Sequence, residues 1–237
     1  LPNTYFQFKQ FTIHQQNCAM KVSTDSCLFG AWFAKKDLRA QNILDVGSGT
    51  GLLMLMLAQK QDSGICGIEI DPKCFEQLQE NIHNSKWQER LKVFRGDVRS
   101  FKSEIKFDFI ISNPPFYENS LKAEADEANL ARHSKELSLE ELISSTDALL
   151  AQNGHFGVLL PYQRTAHFEK LAAQKGFHLL EKLIVKQTPS HEYFRSILHY
   201  SRIKSSSISE KELVIVKGEG EYTEEFIQLL KDYYLYL

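Results

Sequence analysis

Long apolar runs are missing from this chain. The longest, Leu52 to Ala58, is seven residues, far short of the roughly 20 a membrane-crossing helix needs, and mean hydropathy is -0.32. No membrane partner is expected. Cysteine is scarce as well. Cys18, Cys27, Cys66 and Cys74 form no CxxC pair and no metal spacing, which excludes a thiolate metal site and leaves them as reduced thiols, cytoplasmic in character. The opening Leu1-Pro2-Asn3-Thr4-Tyr5 has no basic stretch followed by an apolar one, so no signal peptide is expected. It also lacks an initiating Met, so residues are expected upstream. Charge of one sign is not in large excess: the formal net charge is -2, which does not advertise a nucleic-acid binder. Local sums differ. Residues 182–204 carry Lys182, Lys186, Arg195, Arg202 and Lys204 against Glu192, a net +4, and residues 1–40 carry five basic side chains against Asp25 and Asp37, a net +3. On one face these stretches would suit a phosphate backbone, whose attraction is electrostatic and local. Scattered and solvated, they would be ordinary surface charge.

At 237 residues and 43% apolar, the chain is long enough for one large core and nothing requires a second domain. The expectation is a single domain over 1–237, with 1–40 a capping segment and 41–237 the core, acting as a monomer. Ser23-Thr24-Asp25 reads as a cap opening a helix over 25–36. From there strands alternate with helices. Strands are predicted over 42–46, 65–70, 91–95, 107–112 and 156–160, and helices over 52–60, 72–85, 137–151 and 165–175. Beyond Gly176 the alternation stops, with strands predicted over 178–186, 195–203 and 212–217 and a closing helix over 223–234. Such a pattern implies an α/β fold with a mostly parallel sheet, one reversed strand and helices on both faces. The polar stretch 117–134 reads as a lid or binding loop.

Proline is rare too, six in all, yet two are consecutive. Asn113-Pro114-Pro115-Phe116 closes the fourth strand. The two rings fix two φ angles and remove two backbone N–H groups. The peptide is stiff and rich in acceptors, with an amide oxygen on Asn113 and an aromatic face on Phe116. A planar group bearing an amine would stack on the ring and donate hydrogen bonds. The plainer alternative is a diproline turn with Phe116 in the core.

A glycine turn points to a cofactor. Asp45-Val46-Gly47-Ser48-Gly49-Thr50-Gly51 follows a strand and opens a helix, where glycines let the backbone approach a ligand. A dinucleotide site needs a third glycine where Leu52 stands, which argues against NAD. Glu69 ends the second strand, where a carboxylate accepts from two ribose hydroxyls, and Asp97 ends the third, where it would accept from an adenine amino group. Each acid alone is an ordinary strand-end residue. The series is not.

These motifs, with Gly67-Ile68-Glu69-Ile70-Asp71 and Gly96-Asp97, resemble the ordered motifs of the class I, Rossmann-like S-adenosylmethionine-dependent methyltransferases. The Asn-Pro-Pro-Phe element is similar to that of enzymes methylating adenine N6, guanine N2 or protein glutamine N5. Gln7-Phe8-Lys9-Gln10-Phe11, Met20 to Asp25 and Ala131-Arg132-His133 look like those of the bacterial enzymes that methylate adenine N6 of valine tRNA just beyond the anticodon. The resemblance implies a seven-stranded sheet with a reversed C-terminal strand, S-adenosylmethionine as cofactor, tRNA as partner and no metal. It implies catalytic roles for Asn113, Pro114, Pro115 and Phe116. Thr24, Asp25, Asp45, Gly47, Gly49, Gly51, Glu69, Asp97 and Asn113 would hold the cofactor, Thr24 and Asp25 serving equally well as a helix cap. Lys21, Arg132, His133, Lys186 and Arg195 would touch the RNA. The other readings are guanine N2 or glutamine N5 methylation, or a non-catalytic RNA-binding factor.

Overall fold

In the computed structural model, which describes residues 3–115, 137–218 and 220–237, the chain opens with a small antiparallel hairpin, β1 (Tyr5–Gln7) and β2 (Thr12–His14). Then follow α1 (Thr24–Ala34), β3 (Asn42–Val46), α2 (Leu52–Ala58), β4 (Gly64–Glu69), α3 (Pro72–His83), β5 (Leu91–Arg95) and β6 (Phe107–Ser112). The second half holds α4 (Leu139–Leu149), β7 (Leu150–Pro161), α5 (Thr165–Gln174), β8 (His178–Lys186), β9 (Tyr193–Ser201), β10 (Ser209–Val214) and α6 (Glu224–Leu230).

Among the described residues the main sheet has eight strands in the order β10-β8-β9-β7-β6-β3-β4-β5. Only β9 runs against its neighbours β7 and β8. The other pairs are parallel. This corrects the expected seven strands with the last one reversed. An eighth strand, β10, lies parallel to β8, so the reversed strand is next to last in the chain and interior in the sheet. The reason is physical: β8 would otherwise be an open edge. Leu213 is buried at 3% exposure and anchors β10 there, while Ser209 to Glu212 stay exposed. Pairing with the β8 backbone, and not a hydrophobic pattern, starts β10 three residues before Glu212.

Alternation along the strands separates two apolar layers. Ile43, Ile65, Phe109 and Leu159 face α1, α2, α3 and α6, whereas Leu44, Ile68, Ile110 and Val158 face α4 and α5. All seven residues of α2 are buried. Helix α1 can lie close over it because Gly30 faces Met56, whose Sδ would stand 2.7 Å from a Cβ built there. Asn81 of α3, 1% exposed, exchanges hydrogen bonds with the His14 backbone and also donates to Thr50 O at 2.9 Å. One amide thus ties the hairpin to the glycine turn.

The thiol expectation needs correction. Cys18 and Cys74 form a disulfide with Cα atoms 4.6 Å apart, leaving Cys27 and Cys66 free. They are 56 residues apart, and only the docking of the segment after the hairpin against α3 brings them together. No helix among the described residues is long and apolar enough to cross a membrane.

A polar cluster lies toward the sheet end where β3 and β6 begin. His155 Nδ1 is 2.9 Å from His199 Nε2, His199 Nδ1 is 3.3 Å from Glu181, and Lys36 Nζ lies 2.7 Å from Glu181. Burial, then the neighbouring His199, lowers the His155 pKa to about 4, and burial lowers that of His199. Because both folded values lie below the unfolded one, the unfolded chain takes up these protons first as pH falls. The cluster's contribution to stability is therefore present above pH 6.5 and is lost toward about 4. Urea denaturation at stepped pH is expected to show the chain losing stability relative to His155→Gln as pH falls through that window. Equal slopes in the two proteins would contradict this assignment.

Candidate active site

The parallel register brings the chemistry-bearing residues to one edge of the sheet. Val46 pairs with Ile68 on one side and Ser112 on the other, and Glu69 pairs with Arg95. Glycine turn, Glu69, Asp97 and Asn113 therefore follow the carboxyl ends of four adjacent strands, β3, β4, β5 and β6. Chain order departs from β3 to opposite sides at this point, which in open α/β sheets opens a ligand crevice.

Backbone hydrogen bonds hold the turn to β4. Gly47 and Ser48 both donate to Ile68 O at 3.0 Å, and Gly49 N donates to Glu69 Oε2 at 2.8 Å. Gly47, Gly49 and Gly51 all have positive φ, of 73°, 55° and 84°. Gly51 is doubly constrained, since a Cβ there would also stand 2.7 Å from Leu78 Cδ1. At Gly47 the same atom would meet nothing within 4 Å, so the requirement there is backbone conformation alone.

Asp45 lies under this turn with 0% exposure. Neither carboxylate oxygen has a hydrogen-bond partner among the described residues, and burial followed by the nearby Glu69 pushes its pKa up to about 8. An orphaned buried acid is costly unless a cation or donor answers it. The ammonium at the amino-acid end of S-adenosylmethionine has that chemistry. Glu69, 8% exposed, accepts from Gly49 N and, through Oε1, from Asp71 N at 2.9 Å. Two bonds fix its carboxylate and still leave each oxygen a lone pair for a ribose hydroxyl. The donor set fits the expected cofactor.

Asn113 presents the arrangement that the stiff peptide suggested. Its Nδ2 donates to Ser26 Oγ at 2.9 Å, and its Oδ1 is buried with no partner among the described residues. Pro114 is buried and Pro115 exposed. Phe116, Arg132, His133 and the stretch 117–134 lie outside the described residues.

Asp97 departs from expectation. Arg99 Nε and Nη2 grip both its oxygens at 2.9 and 2.5 Å, and these bonds hold its pKa below the usual carboxylate range. Its lone pairs are directed to a guanidinium two residues along, not left for an adenine amine. Arg99 also reaches Glu141 at 3.0 Å, in the capping box that opens α4. The i, i+2 spacing of Asp97 and Arg99 was the sequence sign of this clamp.

Asp25 is likewise occupied. Its Oδ2 accepts from Arg195 Nε at 2.6 Å and its Oδ1 from Ser26 N at 3.0 Å, so two residues expected to serve cofactor and RNA separately serve each other. Thr24 is the exposed first residue of α1. Lys21 Nζ donates to the carbonyls of Gln15 and, at 2.8 Å, Cys18, closing the turn before α1. Lys186 lies 3.6 Å from Glu212 and over the Tyr193 ring. Lys182 pairs with Glu169 and Glu210, and Arg202 with Asp147. The two basic stretches meet through Asp25–Arg195, and acids pair with most of their bases, in keeping with the reading of ordinary surface charge. No cluster of three metal-binding side chains occurs among the described residues.

Comparison with known proteins agrees with this geometry. Residues 17–171 match the family model "Methyltransferase small domain". A relative from Dyadobacter fermentans, named tRNA1(Val) (adenine(37)-N6)-methyltransferase, is 39% identical over 98% of both chains. One of the same name from Flavobacterium johnsoniae is 40% identical over 97% of this chain and 99% of its own. The crystal structure of a predicted O-methyltransferase from Agrobacterium tumefaciens superposes with a TM-score of 0.67, covering 88% of this chain and 96% of that one. At 17% identity that likeness speaks for the fold alone.

The raised pKa of Asp45 yields a test. Its folded carboxyl holds a proton that the unfolded one releases above about 4, so the contribution of Asp45 to apo stability declines as pH rises from there toward about 8. Asp45→Asn is expected to raise the apo Tm at pH 8, by a margin shrinking toward pH 4, while weakening S-adenosylmethionine binding about tenfold or more in calorimetry. Unchanged affinity would remove Asp45 from the site. Glycine turn, strand-end acids, diproline element and matched sequence lead to one conclusion: the chain belongs to the methyltransferase small domain family.

Proposed function

We propose that this protein transfers a methyl group from S-adenosylmethionine to the exocyclic N6 of adenine 37 in valine tRNA. The observation that carries the reading is Asn113, whose buried Oδ1 has no partner among the described residues and which is held at the end of β6 beside Pro114 and Pro115. Support for the choice of nucleotide comes from relatives of that name, alike over nearly their whole length.

The chemistry follows from the acceptors. An adenine amine is a poor nucleophile because its lone pair is delocalised into the ring. Asn113 Oδ1 and the Pro114 carbonyl would accept its two hydrogens, favouring the tetrahedral nitrogen that the reaction needs over the flat ground state. Phe116 would stack on the base once it is turned out of its loop, worth about 1–3 kcal/mol. When bound, S-adenosylmethionine supplies a methyl already activated by its sulfonium, so neither a metal nor a strong general base is required. Asp45 and the glycine turn would receive the amino-acid end, and Glu69 the ribose. A tRNA substrate supports a cytoplasmic setting for the reaction.

The test uses bulk tRNA from cells lacking this protein, incubated with labelled S-adenosylmethionine, then nuclease digestion and mass spectrometry. N6-methyladenosine at position 37 is expected. N2-methylguanosine, or label on protein glutamine, would replace the reading with one of its alternatives. Asn113→Ala should lower kcat about 100- to 1,000-fold while the cofactor Kd stays nearly unchanged. Full turnover in that variant would sink the mechanism.

A further inference from the structure

An acceptor contributes to the transition state only if it points the right way, and an amide side chain has two ends of nearly equal shape. Asn113 serves the reaction with Oδ1 toward the base; turned over, it would present Nδ2, a donor, to an amine that is also a donor. Something must distinguish the two ends. Pro114 and Pro115, without N–H groups, offer Oδ1 no backbone donor that would fix it.

Ser26 is placed to do so. It lies in the first turn of α1, 87 residues from Asn113 in sequence, 5% exposed, with Oγ 2.9 Å from Asn113 Nδ2. A hydroxyl alone cannot tell amide ends apart, because it donates as readily as it accepts. The second bond decides: Ser26 Oγ is 2.7 Å from Ser23 Oγ. Ser23, the N-cap residue, makes no side-chain bond to the helix backbone and is solvent-exposed, so its own proton has water to go to. With the Ser26 proton directed to Ser23, the Ser26 lone pair faces Asn113, and only Nδ2 satisfies it.

We infer that Ser26, backed by Ser23, is a positioning residue that sets the orientation of the Asn113 amide so that Oδ1 is offered to the amine being methylated. The inference rests on the proposed N-methyltransferase reading of the site. Ser26 touches neither substrate nor cofactor in this role; it acts through Asn113. The Ser23-to-Asp25 stretch, read from sequence as a helix cap or a cofactor contact, is on this account part of the apparatus that aims the acceptor.

The test is a mutant cycle on the full chain with valine tRNA and S-adenosylmethionine. Ser26→Ala should lower kcat about tenfold, leaving KM for tRNA, the cofactor Kd and Tm close to wild type. Ser26→Thr, which keeps the hydroxyl, should restore turnover, and Ser23→Ala should show a smaller loss of the same kind. In an Asn113→Ala background, Ser26→Ala should cost nothing further, because its target is gone. Unchanged kcat in Ser26→Ala, a loss confined to cofactor Kd, or the same fractional loss with and without Asn113 would each overturn the role. So would a loss in Ser26→Thr equal to that in Ser26→Ala with Tm unchanged. Full turnover in Asn113→Ala alone would instead reject the underlying reading, and the inference with it.

Discussion

The site depends on a short set of hydrogen bonds between the turn after β3 and the end of β4. Gly47 N and Ser48 N converge on Ile68 O, and Gly49 N reaches the Glu69 carboxylate. They can form only where three residues adopt left-handed backbone within five positions, which side chains other than glycine resist. Once made, they place a carboxylate beside the turn, close the backbone over Asp45 and present the start of α2 to the crevice. Asn81 adds a distal brace, joining Thr50 O to the hairpin. Turn, hairpin and α3 therefore form one frame.

Inside that frame, polar groups fall into two kinds. Most are answered within the chain: Asp97 by Arg99, Asp25 by Arg195, Lys182 by two glutamates, Lys36 by Glu181. Some are not. Buried atoms of Gln59, Gln77, Thr146, Glu169 and Tyr200 lack hydrogen-bond partners among the described residues, and so do the oxygens of Asp45 and the Oδ1 of Asn113; only the last two side chains lie near the carboxyl ends of the central strands β3 and β6. Structures rarely tolerate such atoms without a reason, because each carries a desolvation penalty of about 1–3 kcal/mol or more. Asp45 and Asn113 lie at the two places where a cationic cofactor and an amine substrate would be received. The same accounting decides between the two readings of the local charge sums: a stretch can be basic in sequence while the fold interleaves it with acids.

Helix α1 links these observations. Its first turn carries Asp25 and Ser26, which meet Arg195 and Asn113, and just beyond its last turn Lys36 meets the Glu181–His199–His155 cluster. Gly30 between them lets it approach α2 closely. A helix that sequence reads as a cap over the cofactor is thereby packed along one face of the sheet from end to end.

What the sequence by itself determined is whatever rests on residues close together in the chain. The strands at 42–46, 91–95, 107–112 and 178–186 follow from apolar runs between breakers, the turn from its glycines, and the stiff acceptor peptide from two adjacent prolines. Motif order along the chain was enough to name the family. Tertiary structure decided everything that depends on partners far apart: the parallel pairing of β10 with β8, the Cys18–Cys74 disulfide, the pairing of Asp25 with Arg195 across 170 residues and the contact of Ser26 with Asn113. Such contacts leave no periodicity behind, since a serine that orients an amide and a serine that caps a helix are written the same way. Only the packing of α1 beside the end of β6 brings Ser26, 87 residues away in sequence, within hydrogen-bond reach of Asn113.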